Sequence, residues 1–363
     1  MISFAIHSHV VAEYMRSRLV AHGLRCETSQ IKVSDSLILT ELKVERSRLA
    51  EAVRLCESGL DYADEVCITE RTKGKTLLIP VDFSEHSMLA VRAGFEFAVR
   101  LDMDPLLMHS YAAPRLSSPL SFAEGLDDMA ETAVLSGEFR HTAEREMQIL
   151  SSKIRRMQTS GMLPDLQFST NVCQGIPEEA ISDYCRVNEP GLIVMATRGK
   201  SRREAEMIGS VTAEVLDNCR VPVFTVPENI TFVGVENINR LIFFCNLDRQ
   251  DILSFDSFMS MFDCPEVDVL LVPVSEKSVD SMKGKTDDLM RFLEQKYPVA
   301  SFHAEIFDRQ NFRMQLEKVV EHQGTQLLIV PNKKTNIFSR LFKPGIAHRI
   351  LFERDMLMLA LPV

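Results

Sequence analysis

The chain has 363 residues, a formal net charge of −10, 45% hydrophobic residues and 25% charged residues, enough for two or three domains with substantial cores. The acidic balance argues against nucleic acid as a partner, because neutralising phosphates requires a basic face. No apolar run approaches the length of a membrane-spanning helix, and the opening MISFAIHSHVVAEYMRSRL has neither a basic leader nor a small-residue cleavage site, so the expectation is a cytoplasmic protein with no membrane partner.

Residues 1–72 form the first segment. Their apolar pattern predicts a strand over Ile2–Ile6, a helix over Val10–Ala21, strands over Arg25–Ile31 and Ser36–Val44, a helix over Ser47–Glu57 and a short strand over Glu65–Ile68. That order, βαββαβ, is the split βαβ arrangement of a small ferredoxin-like α+β domain, and Gly23 and Gly59 supply stop signals after its helices. Arg71 to Lys75 reads as a linker.

Residues 76–227 alternate strands with helices. Strands are expected at Thr76–Val81, Pro105–Tyr111, Asp165–Gln174, Leu192–Ala196 and Val221–Val226, and helices at Glu85–Leu101, around Arg140–Ser160 and at Pro177–Val187. Elements of this length imply right-handed crossovers and a doubly wound parallel sheet. Residues 239–363 repeat the outline, with Leu241–Cys245 matching Leu77–Val81, Val267–Pro273 the second strand and Gln326–Val330 matching Ile193–Met195. The fold class is therefore α/β, two doubly wound domains in tandem behind a small α+β domain.

The most informative stretch is Gly191 to Val226. An apolar strand ends at Ala196, a polar loop holds Arg198, Gly199 and Lys200, and Gly209-Ser210 opens a helix. Free backbone N–H groups and a helix dipole at the carboxyl end of a sheet suit an anionic ligand, most often a phosphate. Asp82, in the segment Asp82-Phe83-Ser84-Glu85-His86-Ser87, follows the first strand of the same domain. A plainer reading of the same residues has the glycines allowing a turn and Asp82 capping the next helix.

The spacing of these residues resembles the phosphate loop of the universal stress protein family, which runs Gly, two residues, Gly, nine residues, Gly, then Ser or Thr. Here Ala196 stands in place of the first Gly, while Gly199, Gly209 and Ser210 keep their positions, and Asp82, Ser84 and Ser87 fit the family's Asp-x-Ser-x-x-Ser. The resemblance covers roughly Lys75 to Pro227. It implies ATP or another adenine nucleotide, with or without Mg, held by Asp82, Ser84, Ala196, Arg198, Gly199, Lys200, Gly209 and Ser210, with the Asp on the adenine or ribose side. It also implies antiparallel pairing of last strands, here Val221–Val226 with Met356–Leu361, giving an intramolecular pseudo-dimer of the two repeats that leaves further self-association open. Part of the N-terminal segment resembles a family of small signal-transducing domains, which implies an unidentified protein partner.

Aligning the repeats sets Asp82 against Asn246, Ser84 against Asp248, Gly199 against Thr335 and Ser210 against Ile346, while Gly209 keeps Gly345. A side chain at Thr335 and the lost hydroxyl at Ile346 predict a degenerate second copy without nucleotide. Its end is basic, with Lys333, Lys334, Arg340, Lys343, His348 and Arg349 read first as a solvated surface. Asp287-Asp288 and Asp127-Asp128 read as solvated charges, His109 as a loop residue at the edge of the presumed site, and the eight cysteines, none in a C-x-x-C pair, as buried free thiols. No base, nucleophile and metal ligand converge in the sequence, so the expected role is a stress-response protein whose nucleotide is regulatory, with slow ATP hydrolysis at most. The alternative is a nucleotide-independent scaffold or protein-interaction module.

Overall fold

The structure is a computed structural model that describes residues 1–32, 38–57, 74–112, 125–197, 210–228, 230, 234, 237–262, 266–275, 279–308, 311–321, 325–332 and 356–362. The chain divides into two compact bodies. One contains Met1–Thr72, Val235–Leu341 and Leu361–Val363, and the other contains Lys73–Gly234 and Phe342–Ala360.

The N-terminal segment contributes β1 (Ile2–His7), α1 (His9–Ala21), β2 (Cys26–Lys32), β3 (Ile38–Val44) and α2 (Leu49–Glu57), the last entered through a 3-10 turn at Arg46–Arg48. β3 lies between β1 and β2 and is antiparallel to both. Its side chains alternate, with Thr40, Leu42 and Val44 turned inward and their neighbours less covered, as a strand with one covered face requires. The strand expected at Glu65–Ile68 lies outside the described residues.

The second body is built on β4 (Thr76–Pro80), α3 (Glu85–Leu101), β5 (Asp104–Tyr111), α4 (Gly125–Thr159), β6 (Ser169–Gln174), α5 (Pro177–Asn188), β7 (Leu192–Ala196), α6 (Ser210–Asn218) and β8 (Val223–Val226). The strands run parallel in the order β8-β7-β4-β5-β6. Leu77, Leu78, Ile79, Leu192, Ile193, Val194, Val223 and Phe224 are all buried, which is why these strands read as unbroken apolar runs rather than alternating ones. Phe97 of α3 meets Phe224 edge-on, ring centroids 4.6 Å apart. Most boundaries in this body fall within two residues of expectation, and two differ by more. β6 begins at Ser169 rather than Asp165, because the Gln158 side-chain amide donates to the carbonyls of Pro164 (3.0 Å) and Leu166 (2.7 Å) and holds that stretch as a loop. α4 starts at Gly125, well before Arg140, across a sequence that contains no proline to stop it.

Residues 237–362 supply β9 (Arg240–Cys245), α7 (Arg249–Met261), β10 (Asp268–Ser275), α8 (Val279–Lys296), β11 (Ser301–Ala304), β12 (Phe307–Asp308), α9 (Phe312–Val320), β13 (Gln326–Asn332) and β14 (Leu357–Pro362). β11-β10-β9-β13 run parallel in that order, the same sequence of crossovers as β6-β5-β4-β7. β14 belongs with the other body over most of its length. Met358, Leu359 and Ala360 pair antiparallel with Thr225, Phe224 and Val223 of β8.

Within the first body, α1 packs against α7 and α8. Tyr14 meets Phe292 edge-on at 5.3 Å, Lys296 Nζ reaches Glu13 Oε2 at 2.9 Å, and Arg18 Nε lies 3.0 Å from Asp288 Oδ2. Asp288, expected to be a solvated charge, is instead 12% exposed at its side chain and neutralised by an Arg18 side chain exposed by 7%. The residue that accounts for its burial lies 270 positions earlier in the chain and gives no local signal. Among the described residues no helix is long and apolar enough to cross a membrane.

Candidate functional site

The strand order of the second body reverses at β4: β5 and β6 build outward on one side, β7 and β8 on the other. In a doubly wound sheet the crevice at such a switch point, at the carboxyl ends of the strands, is where ligands bind. Two segments flank it. Val81-Asp82 leaves β4, its first residue still bonded to Met108 O at 2.8 Å, and Ala196-Thr197 leaves β7, with Thr197 N donating to Val226 O at 2.9 Å.

Asp82 sits in a tight polar knot. Its Oδ1 accepts from the backbone N–H of Ser84 (3.0 Å), from the Ser84 hydroxyl (2.5 Å) and from the Ser87 hydroxyl. Ser87 Oγ in turn accepts from the Asp82 N–H at 2.9 Å, and Ser84 Oγ caps α3 by accepting from Ser87 N at 3.3 Å. Partial burial pushes the Asp82 carboxyl up, but the hydrogen bonds from Ser84 and Ser87 outweigh it and hold the pKa below the ordinary aspartate value. The group is thus kept as an anion and an acceptor.

Phe83 takes a left-handed backbone, φ 65°, which turns the chain sharply between strand and helix. Its ring lies 4.1 Å from that of His109, tilted by 37°. His109 Nδ1 is 2.7 Å from the carbonyl of Val81, and since a carbonyl only accepts, Nδ1 carries the proton. His109, expected near the end of β5 either as a plain loop residue or as a lining of the adenine pocket, is within that strand and packs against the turn at Phe83. On the far side of the turn His86 Nε2 lies 2.5 Å from Glu228 Oε1.

Of the expected site residues, Asp82, Ser84 and Ala196 lie together at the carboxyl ends of adjacent strands, and Ser210 is the first residue of α6. The Thr212 hydroxyl lies 3.5 Å from Ala196 O, which ties the first turn of α6 to the end of β7. Arg198, Gly199, Lys200 and Gly209 lie outside the described residues, as do Thr335, Gly345, Ile346 and the basic residues of the second repeat.

The matching loop after β9 keeps the turn and changes the chemistry. Leu247 repeats the left-handed backbone at φ 60°. Asp248 Oδ1 caps α7 by accepting from Gln250 N (2.9 Å) and Asp251 N (3.1 Å). The fully buried Asp251 accepts from Asn246 N (2.6 Å) and Asp248 N (3.2 Å) through Oδ2. Asn246 Nδ2 is buried without a hydrogen-bond partner among the described residues. The carboxylate of the first position has moved to the third and sixth. The sequence comparison registered the change from Ser84 to Asp248 but passed over that from Ser87 to Asp251, although the sixth position of the Asp-x-Ser-x-x-Ser pattern carried the signal.

Comparison with known proteins agrees with this architecture. Residues 74–227 match the model of the universal stress protein family. A universal stress protein of Methanocaldococcus jannaschii is 25% identical over 153 residues, 42% of this chain and 81% of that protein. Among solved structures, a universal stress protein from Archaeoglobus fulgidus superposes with a TM-score of 0.50 at 14% identity, covering 79% of this chain and 98% of its own. A universal stress protein solved in complex with cAMP matches with a TM-score of 0.31 at 18% identity over 44% of this chain and 100% of that one.

Proposed function

We propose that residues 75–227 form a regulatory adenine-nucleotide site, with ATP as its first candidate ligand, in a protein of the stress response. The observation that carries this reading is the placement of an ionised Asp82 just past β4 and of Ala196 at the end of the neighbouring β7, at the switch point of the sheet. A carboxylate kept as an acceptor suits ribose hydroxyls. The start of α6 at Ser210 offers N–H groups and a dipole to phosphates, and Arg198, Lys200 and the glycines at 199 and 209 would line the phosphate path. A Mg ion, if it accompanies the nucleotide, would be held by the phosphates. We read the role as regulatory, since Asp82 Oδ1 is already engaged as an acceptor by the hydroxyls of Ser84 and Ser87.

The second repeat is taken here as a degenerate copy that binds no nucleotide, its loop already closed by the internal carboxylate of Asp251. Support for a tandem comes from the repeated strand order and from the extent of the Archaeoglobus fulgidus likeness, which reaches well beyond residues 74–227. The β8–β14 pairing is the contact expected of an intramolecular pseudo-dimer. The N-terminal segment is proposed to receive a protein partner, and the setting is proposed to be the cytoplasm.

One observation favours a second reading, a scaffold without nucleotide: all three hydrogen bonds to Asp82 Oδ1 come from within its own turn, which is sufficient reason for an aspartate there. Thermal unfolding of the purified full chain with and without ATP separates the two. A rise in midpoint that saturates with ATP supports the nucleotide site. No rise, together with the absence of copurified nucleotide, leaves the scaffold.

A further inference from the structure

Cys185 and Cys219 are far apart in sequence and belong to no local motif, yet the fold sets one against the other. Cys185 lies on the inward face of α5 and Cys219 directly follows α6, continuing its last turn through a bond from its N–H to Val215 O at 2.9 Å. The two helices pack together. Ser182, one turn before Cys185 on α5, has its Oγ 3.8 Å from Cys219 Sγ, and residues three apart share a helix face. Cys185 thus shares with Ser182 the face of α5 that meets Cys219, which sets the two sulfurs beside each other. Both are almost fully covered, 5% and 3% exposed. An apolar methyl or methylene would fill such a position as well as a thiol does, and the site on the β4 and β7 ends uses neither group.

We propose that Cys185 and Cys219 form a peroxide-oxidisable dithiol that closes to a disulfide between α5 and the C-terminal end of α6. Cys219 is assigned the first reaction because the Ser182 hydroxyl lies 3.8 Å from its sulfur and stabilises a thiolate there; its contacts with Cys185 and Ser182 lower its pKa, while the contact with Cys219 and burial raise that of Cys185. The Cys219 thiolate attacks one oxygen of hydrogen peroxide, the O–O bond breaks, and the departing hydroxide takes a proton to leave as water, giving a sulfenic acid. The Cys185 sulfur then attacks the Cys219 sulfur. The S–O bond breaks, and the hydroxide released takes the Cys185 proton as a second water. Two thiols are oxidised by two electrons in total and one peroxide is reduced to two waters.

The consequence is mechanical. α6 begins at Ser210, and a bond at its far end would fix the helix against α5. This reaches the proposed nucleotide site but does not depend on it, so the test is chemical. The full chain is treated with hydrogen peroxide, cleared of excess peroxide, blocked with N-ethylmaleimide in denaturant near neutral pH, digested without reduction and analysed by mass spectrometry. The expected result is a linked peptide pair carrying Cys185 and Cys219 and the loss of two alkylatable thiols per chain. In Cys185→Ser, dimedone should label Cys219 instead, and no linked pair should form. The proposal is overturned if both cysteines remain alkylatable after peroxide treatment, or if either is recovered joined mainly to a different cysteine. As an independent readout, oxidation should move the thermal midpoint of the wild type but not of Cys185→Ser. Equal shifts in both would also overturn it.

Discussion

The backbone N–H of Asn246 donates to the buried carboxylate of Asp251 at 2.6 Å, as the Asp82 N–H donates to the Ser87 hydroxyl at 2.9 Å in the turn after β4. The left-handed residue between strand and helix is kept in both, as Phe83 and Leu247. Both turns are therefore satisfied internally, while only the turn after β4 carries its carboxylate at the first position, Asp82 against Asn246. Ser87→Ala should cost about 1–3 kcal/mol, the usual penalty for an orphaned buried donor. Asp251→Ala should cost more, because two backbone N–H groups lose their acceptor, and Asp251→Ser should recover part of the loss. Urea unfolding of the three variants gives the order.

Nucleotide binding, if it follows the first repeat, should be lost in Gly199→Asp and Ser210→Ile and retained in Asn246→Ala and Asp248→Ala. The first pair places charge or bulk where phosphates would lie. The second pair alters a loop already closed on itself. Isothermal titration with ATP on correctly folded variants is the check, and an unchanged affinity in Ser210→Ile would remove the phosphate role given to that residue.

His7 is pushed down to about 4 by burial and by the nearby Arg249 cation, against an ordinary 6.5. Between those values the unfolded chain binds a proton that the folded one refuses, so stability rises with pH across the window and is lost as pH falls from 6.5 towards 4. His7→Gln should flatten that slope. Unfolding midpoints at pH 4.5, 5.5 and 7 would show the difference between wild type and variant shrinking or reversing on the acid side.

The Arg18–Asp288 pair predicts a non-additive result. Asp288→Ala leaves a guanidinium 7% exposed with no counter-charge and should cost about 3–5 kcal/mol. Replacing both, Arg18→Met with Asp288→Leu, should be close to neutral. If the double variant is as unstable as the single one, the cost lies in lost packing instead of a stranded charge.

Gly191→Ala should destabilise the second body by more than about 1 kcal/mol. A Cβ there would meet the backbone carbonyl of Gly74 and lie 2.7 Å from Met103 Cε, and the first of these cannot swing aside. Loss of soluble protein or a lowered midpoint would register it.

Much of the fold is legible in the sequence. α3 runs from Glu85 to Leu101 as its pattern predicted, since Ser84 is a strong cap and Asp102 stops the helix in a left-handed backbone, φ 51°. β7 was equally plain, because Leu192 to Met195 are buried on both faces and show no alternation to confuse the period. What stayed hidden depends on pairs brought together only by folding. Asp288 looked solvated because Arg18 is remote in sequence, and Cys185 gave no sign of Cys219. The start of β6 was misplaced because a side-chain amide, Gln158, took carbonyls that the apolar pattern assigned to a sheet. At the site, the acceptor role of Asp82 was readable, but its hold by Ser87 was not weighed.

β8 is four residues long, wholly buried, and borders Met358–Ala360 from the far end of the chain. A polypeptide halted at Pro227 would strip that cover and leave Val223–Val226 as a bare, uncharged ribbon with unmet amides. Such a fragment would recruit a twin, or clump, before it behaved as a monomer. Residues 74–227 are thus expected to depend on Met358–Ala360 for the cover of their outermost strand.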